Sequence, residues 1–162
     1  MTKSDVRRRA AYQRIIDGRV RTDRSFCRYG PRPRNEYSSM GKRLHVSVVD
    51  DDESVRESLP DLLRVLGFAA EAFSSAEGFL GSDAFTQTSC LILDVAMPGM
   101  SGPELQQELI RRRQDIPIVF ITAGGDESVR PYLIAQGAVE CLFKPLSKAA
   151  LVAALDTALR VT

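Results

Sequence analysis

The chain contains the segment Leu91-Ile92-Leu93-Asp94-Val95-Ala96-Met97-Pro98-Gly99-Met100-Ser101-Gly102, in which an apolar run leads directly into a carboxylate and a Met-Pro-Gly turn. The apolar residues before Asp94 are typical of a strand that is buried on both faces of a parallel sheet. Asp94 then lies at the carboxyl end of that strand, where ligands bind in open α/β sheets. Because an unpaired carboxylate next to a hydrophobic core is costly, we expect Asp94 to be paired, metal-bound or chemically used.

From Leu44 onward the chain alternates between strand patterns and helix patterns. Apolar, strand-like runs lie at 46–49, 68–73, 89–93, 117–122 and 138–143. Helices are predicted at 55–66, from residue 75, at 102–113, at 126–136 and at 147–159. Such alternation produces right-handed crossovers and a parallel sheet that is covered on both sides. The sequence therefore predicts an α/β fold with five strands and five helices.

Helix starts and helix interiors carry recognisable residues. The predicted caps of the second, third and fifth helices are Ser74 or Ser75, Ser101 or Gly102, and Ser147. Pro60 and Pro131 fall inside the first and fourth predicted helices. An interior proline removes a hydrogen bond and clashes with the preceding turn, at a cost of roughly 3 kcal/mol. We therefore expect both of these helices to be kinked or locally unwound.

Polar side chains follow four of the predicted strands. Asp50 and Asp51 come after the first strand, Asp94 after the third, Thr122 after the fourth and Lys144 after the fifth. Each residue has an ordinary alternative reading, such as a helix-start acid, a strand-end hydroxyl or a surface charge. Because the carboxyl ends of parallel strands share one edge, we expect the five groups to converge, and this convergence favours a functional site.

The chemistry of these groups points to phosphoryl transfer. Three carboxylates within a few Å of one another repel, so they need a cation or raised pKa values. Mg²⁺ suits such a set, since it takes a few oxygen ligands and keeps several waters. Lys144 offers a compact positive charge for a phosphate oxygen, and Thr122 offers a hydroxyl donor. Together these groups indicate the formation of an aspartyl phosphate on a nucleophilic carboxylate.

Residues 44–160 resemble the receiver domain of two-component response regulators, in particular the FixJ-type subset. The motifs that carry the resemblance are Val48-Val49-Asp50-Asp51-Asp52, Cys90-Leu91-Ile92-Leu93-Asp94 with its turn, Ile116-Pro117-Ile118-Val119-Phe120-Ile121-Thr122-Ala123 and Phe143-Lys144-Pro145. The resemblance implies a flavodoxin-like, doubly wound, five-stranded parallel sheet of order 2-1-3-4-5. It also implies a receiver domain at 44–162, preceded by a separate segment at 1–43.

The same resemblance implies a role for each residue at the sheet edge. Asp94 would accept the phosphoryl group, which Thr122 and Lys144 would contact. The implied magnesium ligands are Asp50, Asp51, Asp94 and the Ala96 backbone carbonyl, with Asp51 the more direct ligand of the acid pair. The phosphoryl donor would be a histidine kinase or a phosphotransfer protein. The domain would catalyse only its own phosphorylation and dephosphorylation, and would not otherwise be an enzyme.

One departure from the family pattern concerns the output of the signal. Receivers usually carry Tyr or Phe three residues before the lysine, and this chain has Cys141. A cysteine cannot report the phosphorylated state by the inward swing of a ring. We therefore expect the coupling between the phosphorylation site and the output face to be weak along this route.

The first 43 residues differ sharply in charge from the rest. They hold 13 Lys or Arg against 4 Asp or Glu, a net charge of +9, whereas residues 44–162 hold 9 against 17, a net charge of −8. The basic segment has little apolar periodicity, so we expect it to be mostly disordered. It could be an arm for nucleic acid or for an acidic partner, a solvated tail, or upstream sequence that is not translated, since Met40 is a natural start.

The remaining features bound the location and the partners. No apolar run approaches the roughly 18–20 residues of a membrane span, and the N-terminus lacks a signal-peptide core. The three cysteines are an odd number without metal-ligand spacing, which favours a reduced, cytoplasmic protein. Because the chain stops at Thr162, we expect a receiver without an output domain that signals by binding another protein. The alternative is a DNA-associated transcription regulator that uses the basic tail.

Overall fold

The computed structural model describes residues 43–124 and 127–160. Nearly all of the predicted basic segment, residues 1–43, lies outside these ranges. Its predicted lack of order therefore stays a prediction, as does the boundary between it and the receiver domain.

The sheet has the predicted order. Five strands run parallel in the order β2-β1-β3-β4-β5. They are β1 (His45–Val49), β2 (Ala69–Phe73), β3 (Thr88–Asp94), β4 (Ile118–Thr122) and β5 (Glu140–Phe143). The order steps outward in opposite directions from β1 and β3, so the carboxyl ends of these two central strands flank the crevice expected in a doubly wound sheet. The predicted fold class is confirmed.

Among the described residues, four α-helices connect successive strands and a fifth follows β5. They are α1 (Glu53–Val65), α2 (Ala76–Leu80), α3 (Gly102–Arg111), α4 (Val129–Ala135) and α5 (Lys148–Arg160), and a 3₁₀ turn lies at Asp83–Thr86. The two longest helices have 13 residues each. Within the described ranges, no helix is long and apolar enough to cross a membrane.

Alternate strand residues enter two separate cores. On one face of the sheet the strands pack against α1 and α5, through buried residues that include Val46, Ile92, Leu63 and Leu155. On the other face they pack against α2, α3 and α4, through Leu93, Phe120, Phe79, Leu105 and Leu133. Because both faces are covered, the central strands contain near-continuous apolar runs, such as Leu91-Ile92-Leu93 in β3, which is the pattern the sequence showed.

The structure selects one cap at each helix start where the sequence left two. Ser75 caps α2 by accepting a hydrogen bond from the Gly78 N–H at 3.1 Å. Ser101 caps α3 and forms a capping box with Glu104, whose carboxylate accepts from the Ser101 N–H at 2.8 Å. Ser147 accepts from the Ala150 N–H at 3.1 Å at the start of α5, as predicted.

The two prolines behave differently from each other. Helix α1 is continuous through Pro60, which is buried inside it, so the helix is not unwound there. Helix α4 begins at Val129 instead of residue 126, and Pro131 is therefore its third residue. The first four N–H groups of a helix have no intrahelical partner, so a proline in the first turn sacrifices no hydrogen bond. The prediction that Pro131 lies in the interior of α4 was therefore wrong.

Candidate functional site

Three carboxylates meet where β1 and β3 end. Asp50 follows β1 directly, Asp51 comes next, and Asp94 is the last residue of β3. One oxygen from each of the three lies within 4.8 Å of the others. Asp50 is fully buried and Asp94 is 5% exposed, whereas Asp51 is exposed. The predicted acid cluster is therefore assembled, with its buried members against the core and Asp51 at the surface.

Lys144 joins this cluster from the end of β5. Its Nζ lies 2.8 Å from Asp50 Oδ2 and 3.5 Å from Asp94 Oδ1. Burial alone would lower the pKa of Lys144, but the hydrogen bond to Asp50 and the charge of Asp94 outweigh it and raise the pKa. Lys144 therefore stays protonated and holds the two buried carboxylates together.

The structure places Thr122 and Ala96 by position only. Thr122 is the last residue of β4, and its backbone carbonyl accepts a hydrogen bond from the Lys144 N–H at 2.8 Å. Ala96 is exposed in the loop that follows Asp94. Both residues lie at the edge of the sheet that carries the acids, which is the placement predicted for them. Their roles stay predictions, because the Thr122 contact is made by its backbone and not by its hydroxyl, and position alone does not assign a role to Ala96.

The acid cluster carries more negative charge than Lys144 can offset. Burial, then the charge of Asp50, raises the pKa of the Asp94 carboxyl from 3.8 to about 6, although Lys144 opposes the rise. Asp50 Oδ2 is buried and, apart from Lys144, finds no donor among the described residues. Oxygen atoms of three clustered carboxylates are the hard donors that Mg²⁺ prefers. The residues present therefore fit a divalent cation.

Two charged residues that sequence reasoning missed hold the loops of the site. Arg56 on α1 donates from Nη1 to the backbone carbonyls of Asp50 at 3.1 Å and Asp51 at 2.6 Å. Glu77 on α2 accepts from the Met100 N–H at 3.0 Å, in the loop after β3. Both are charged residues near the start of a helix, and no sequence pattern distinguishes them from ordinary surface charges.

Gly102 is a third residue that the sequence did not mark as part of the site. It is the first residue of α3, and its N–H donates to the Val95 carbonyl at 3.0 Å. A Cβ at this position would collide with the Asp94 carbonyl oxygen and would lie 2.9 Å from Phe120 Cε1. Only glycine lets α3 approach the strand end this closely.

The metal-free protein should become more stable near pH 8 when Asp94 is replaced by Asn, and should not near pH 4. The folded protein holds the Asp94 pKa at about 6 instead of 3.8. Stability from this group is therefore fully present below the lower value and lost as the pH rises through the higher one. At about 1.4 kcal/mol for each pKa unit, the gain near pH 8 is at most about 3 kcal/mol.

Urea unfolding in EDTA at the two pH values measures this difference. Asp83→Asn is a suitable control, since it removes an exposed carboxylate from the 3₁₀ turn. An Asp94→Asn effect that is the same at both pH values would contradict the assigned electrostatics.

Comparison with known proteins agrees with the fold. Residues 46–156 match the family described as the response regulator receiver domain. Response regulator protein TmoT of Ectopseudomonas mendocina is 40% identical over 116 residues, which cover 72% of this chain and 53% of TmoT. The chain spans about half the length of the curated relatives it matches.

Solved structures give the same result. The response regulator StyR is 47% identical with a TM-score of 0.68, over 74% of this chain and 60% of that one. The structure of FixJ-N is 34% identical with a TM-score of 0.67, over 74% of this chain and 95% of that one. The chain therefore belongs to the response regulator receiver domain family.

Proposed function

We propose that this receiver accepts a phosphoryl group on Asp94 from a histidine kinase or a phosphotransfer protein in a two-component phosphorelay. The observation that carries the proposal is the surroundings of Asp94. Asp94 is the last residue of the central strand β3 and is 5% exposed. One of its carboxylate oxygens lies 3.5 Å from Lys144 Nζ, and an oxygen of each of two further acids lies within 4.8 Å. A nearly buried carboxylate with a raised pKa and a cation beside it is a candidate nucleophile.

In the proposed step an oxygen of Asp94 attacks the phosphorus of a phosphohistidine. The new O–P bond gives an acyl phosphate, and the P–N bond breaks with its electron pair returning to the imidazole of the donor. Lys144 would shift from carboxylate oxygens toward the phosphoryl oxygens, where its charge offsets the charge that builds up during transfer. The Thr122 hydroxyl, at the end of the neighbouring strand, would donate to the same group.

The acid cluster would hold Mg²⁺ through Asp50, Asp51, Asp94 and the Ala96 carbonyl. When bound, Mg²⁺ supplies positive charge that offsets the repulsion among carboxylates and phosphoryl oxygens. The chain's own contribution is to keep two of these carboxylates buried and fixed, since Asp50 Oδ1 also accepts from the Asp52 N–H at 2.8 Å.

The direct test is incubation with acetyl phosphate in the presence of Mg²⁺, followed by intact-mass measurement. We expect one added phosphoryl group that is lost in acid, and no addition when EDTA replaces Mg²⁺. A protein that folds, binds Mg²⁺ and gains no phosphoryl group would count against the proposal.

Replacing Asp51 by Asn should weaken Mg²⁺ binding at least about tenfold, because it removes a charged ligand, and losing even an outer-shell partner of a metal often costs that much. Asp52→Asn is the matched control. It removes a charge from the next residue, but Asp52 is the N-cap of α1 and accepts from the Ser54 N–H at 2.9 Å, a role that Asn also fills. Isothermal titration calorimetry measures both variants, and equal affinities would show that the cluster is structural.

The surface around β5 and α4 bears on how the receiver would pass its phosphorylated state to a partner. Cys141 lies on β5 and is 2% exposed, beside an ion pair in which Arg130 on α4 contacts Glu140 at 2.7 Å. We propose that the receiver signals by changing its contacts with another protein, with weak coupling through residue 141. Three statements stay predictions: that no output domain is present, that the protein is cytoplasmic, and, as the alternative, that the basic tail binds DNA. The chain spans about half the length of its relatives, and residues 1–42 are not described.

A further inference from the structure

We propose that Arg56 is a positioning residue that sets the acid pair for the metal. This inference rests on the proposed function, because it takes the carboxylates of Asp50 and Asp51 as magnesium ligands. Arg56 is not itself a candidate ligand, because its guanidinium contacts the backbone carbonyls of both acids and not their carboxylates.

The guanidinium of Arg56 contacts the backbone of both acids. A single nitrogen, Arg56 Nη1, donates to two successive carbonyls, those of Asp50 at 3.1 Å and Asp51 at 2.6 Å. The side chain is half-buried and reaches back from the first turn of α1 to the end of β1. Charge-assisted hydrogen bonds of this length are among the stronger ones in proteins. The guanidinium therefore fixes the turn in which the chain leaves the sheet.

The two acids differ in the other contacts that hold them. Asp50 has three further anchors: its N–H donates to the Phe73 carbonyl at 3.1 Å, and its two carboxylate oxygens contact the Asp52 N–H and Lys144. Asp51 has no such set. Within the part of the chain that the structure describes, the hydrogen bond from Arg56 to its carbonyl is the only one that Asp51 makes, and its carboxylate makes none. The orientation of Asp51, which is predicted to be the more direct magnesium ligand, thus depends on Arg56.

The positive charge of Arg56 is directed at backbone carbonyls. Acidic residues surround it in sequence, yet no ion pair involving Arg56 occurs among the described residues. Arg64, on the same helix, differs: it pairs with Asp61 at 2.7 Å and donates to the Ala70 carbonyl at 3.0 Å, away from the site. Arg56 is committed to backbone carbonyls, as expected of a residue that fixes a loop.

The test compares Arg56→Met with Arg64→Met, because both remove one charge from α1 while keeping most of the aliphatic stem. The first removes two side-chain contacts to backbone carbonyls and the second removes one. Titration calorimetry should show Mg²⁺ affinity reduced about tenfold or more in Arg56→Met and unchanged within about twofold in Arg64→Met. The direction is decisive, since electrostatics alone predicts the opposite: removing a cation near a cation site tightens metal binding.

A second readout needs no metal. In the metal-free protein, amide hydrogen exchange of Asp52 should be faster in Arg56→Met than in Arg64→Met, because the loop that presents Asp52 to the Asp50 carboxylate is released. Should Arg56→Met fail to fold, Arg56→Gln replaces it with the same expected losses, since its amide is too short to reach both carbonyls.

The outcomes separate the two proposals. A wild-type protein that binds no Mg²⁺ would refute the proposed metal site itself. A wild-type protein that binds Mg²⁺ while Arg56→Met binds it as tightly or more tightly, with unchanged exchange at Asp52, would overturn the role of Arg56 and leave the proposed function standing.

Discussion

Asp94→Asn should abolish phosphoryl incorporation from acetyl phosphate, lowering the initial rate by at least about 10³-fold. An amide oxygen is a poor nucleophile, whereas the amide has nearly the shape of the carboxylate it replaces. Asp94 sits at the end of β3, paired in register with Ile121 of β4, so its backbone position does not depend on the side-chain charge. The variant should therefore fold, while losing the nucleophile and one charged oxygen of the proposed Mg²⁺ site.

The measurement is intact mass against time at fixed Mg²⁺ and acetyl phosphate, with Asp83→Asn as the control that removes an exposed carboxylate. The loss must not be accompanied by unfolding, and circular dichroism checks this. A fully labelled Asp94→Asn protein would mean that another residue accepts the phosphoryl group, and would remove the basis of the proposed function.

Gly102→Ala should destabilise the protein by about 2–4 kcal/mol, the upper part of the usual range for overpacking. The added methyl group would collide with the Asp94 carbonyl oxygen and with the Phe120 ring, both of which are held by the central strands. Neither a backbone carbonyl in a sheet nor a fully buried ring can move without disturbing neighbours. Helix α3 would have to shift away from the strand end that carries Asp94.

Gly81→Ala is the matched control. Gly81 follows α2 with a negative φ of −87°, and its nearest neighbour to an added Cβ is the Glu77 carbonyl at an ordinary 3.5 Å. That variant should be neutral, or more stable by up to about 1 kcal/mol through the entropy of the unfolded chain. Urea unfolding measures both. If Gly102→Ala were as stable as Gly81→Ala, the close approach of α3 to β3 would have to be wrong.

The sequence alone predicted the strands, the helix order and the edge at which the functional residues meet. These features depend on short-range patterns: an apolar run such as Leu91-Ile92-Leu93 needs no partner to indicate a buried strand. Right-handed crossovers then bring the strand ends to one edge, which places Asp50, Asp94 and Lys144 together. The resemblance to receivers added the strand order, which the structure confirms.

Only the tertiary structure decided features that depend on distances between remote segments. The start of α4 at Val129 moves Pro131 into the first turn, although the local sequence is compatible with an earlier start. The Glu77 carboxylate meets the Met100 N–H across 23 residues of sequence. The need for glycine at 102 arises from the Asp94 carbonyl at the end of β3 and from the Phe120 ring on β4.

Arg56 shows the same division most clearly. Its side chain lies five and six residues from the carbonyls it binds, but its choice of carbonyls over the neighbouring carboxylates depends on how α1 packs against β1. Local patterns determine which segments form helices and strands, because they reflect burial and backbone propensity. Packing at a scale of a few tenths of an Å determines which polar groups touch, because van der Waals repulsion and hydrogen bonding change steeply over that distance.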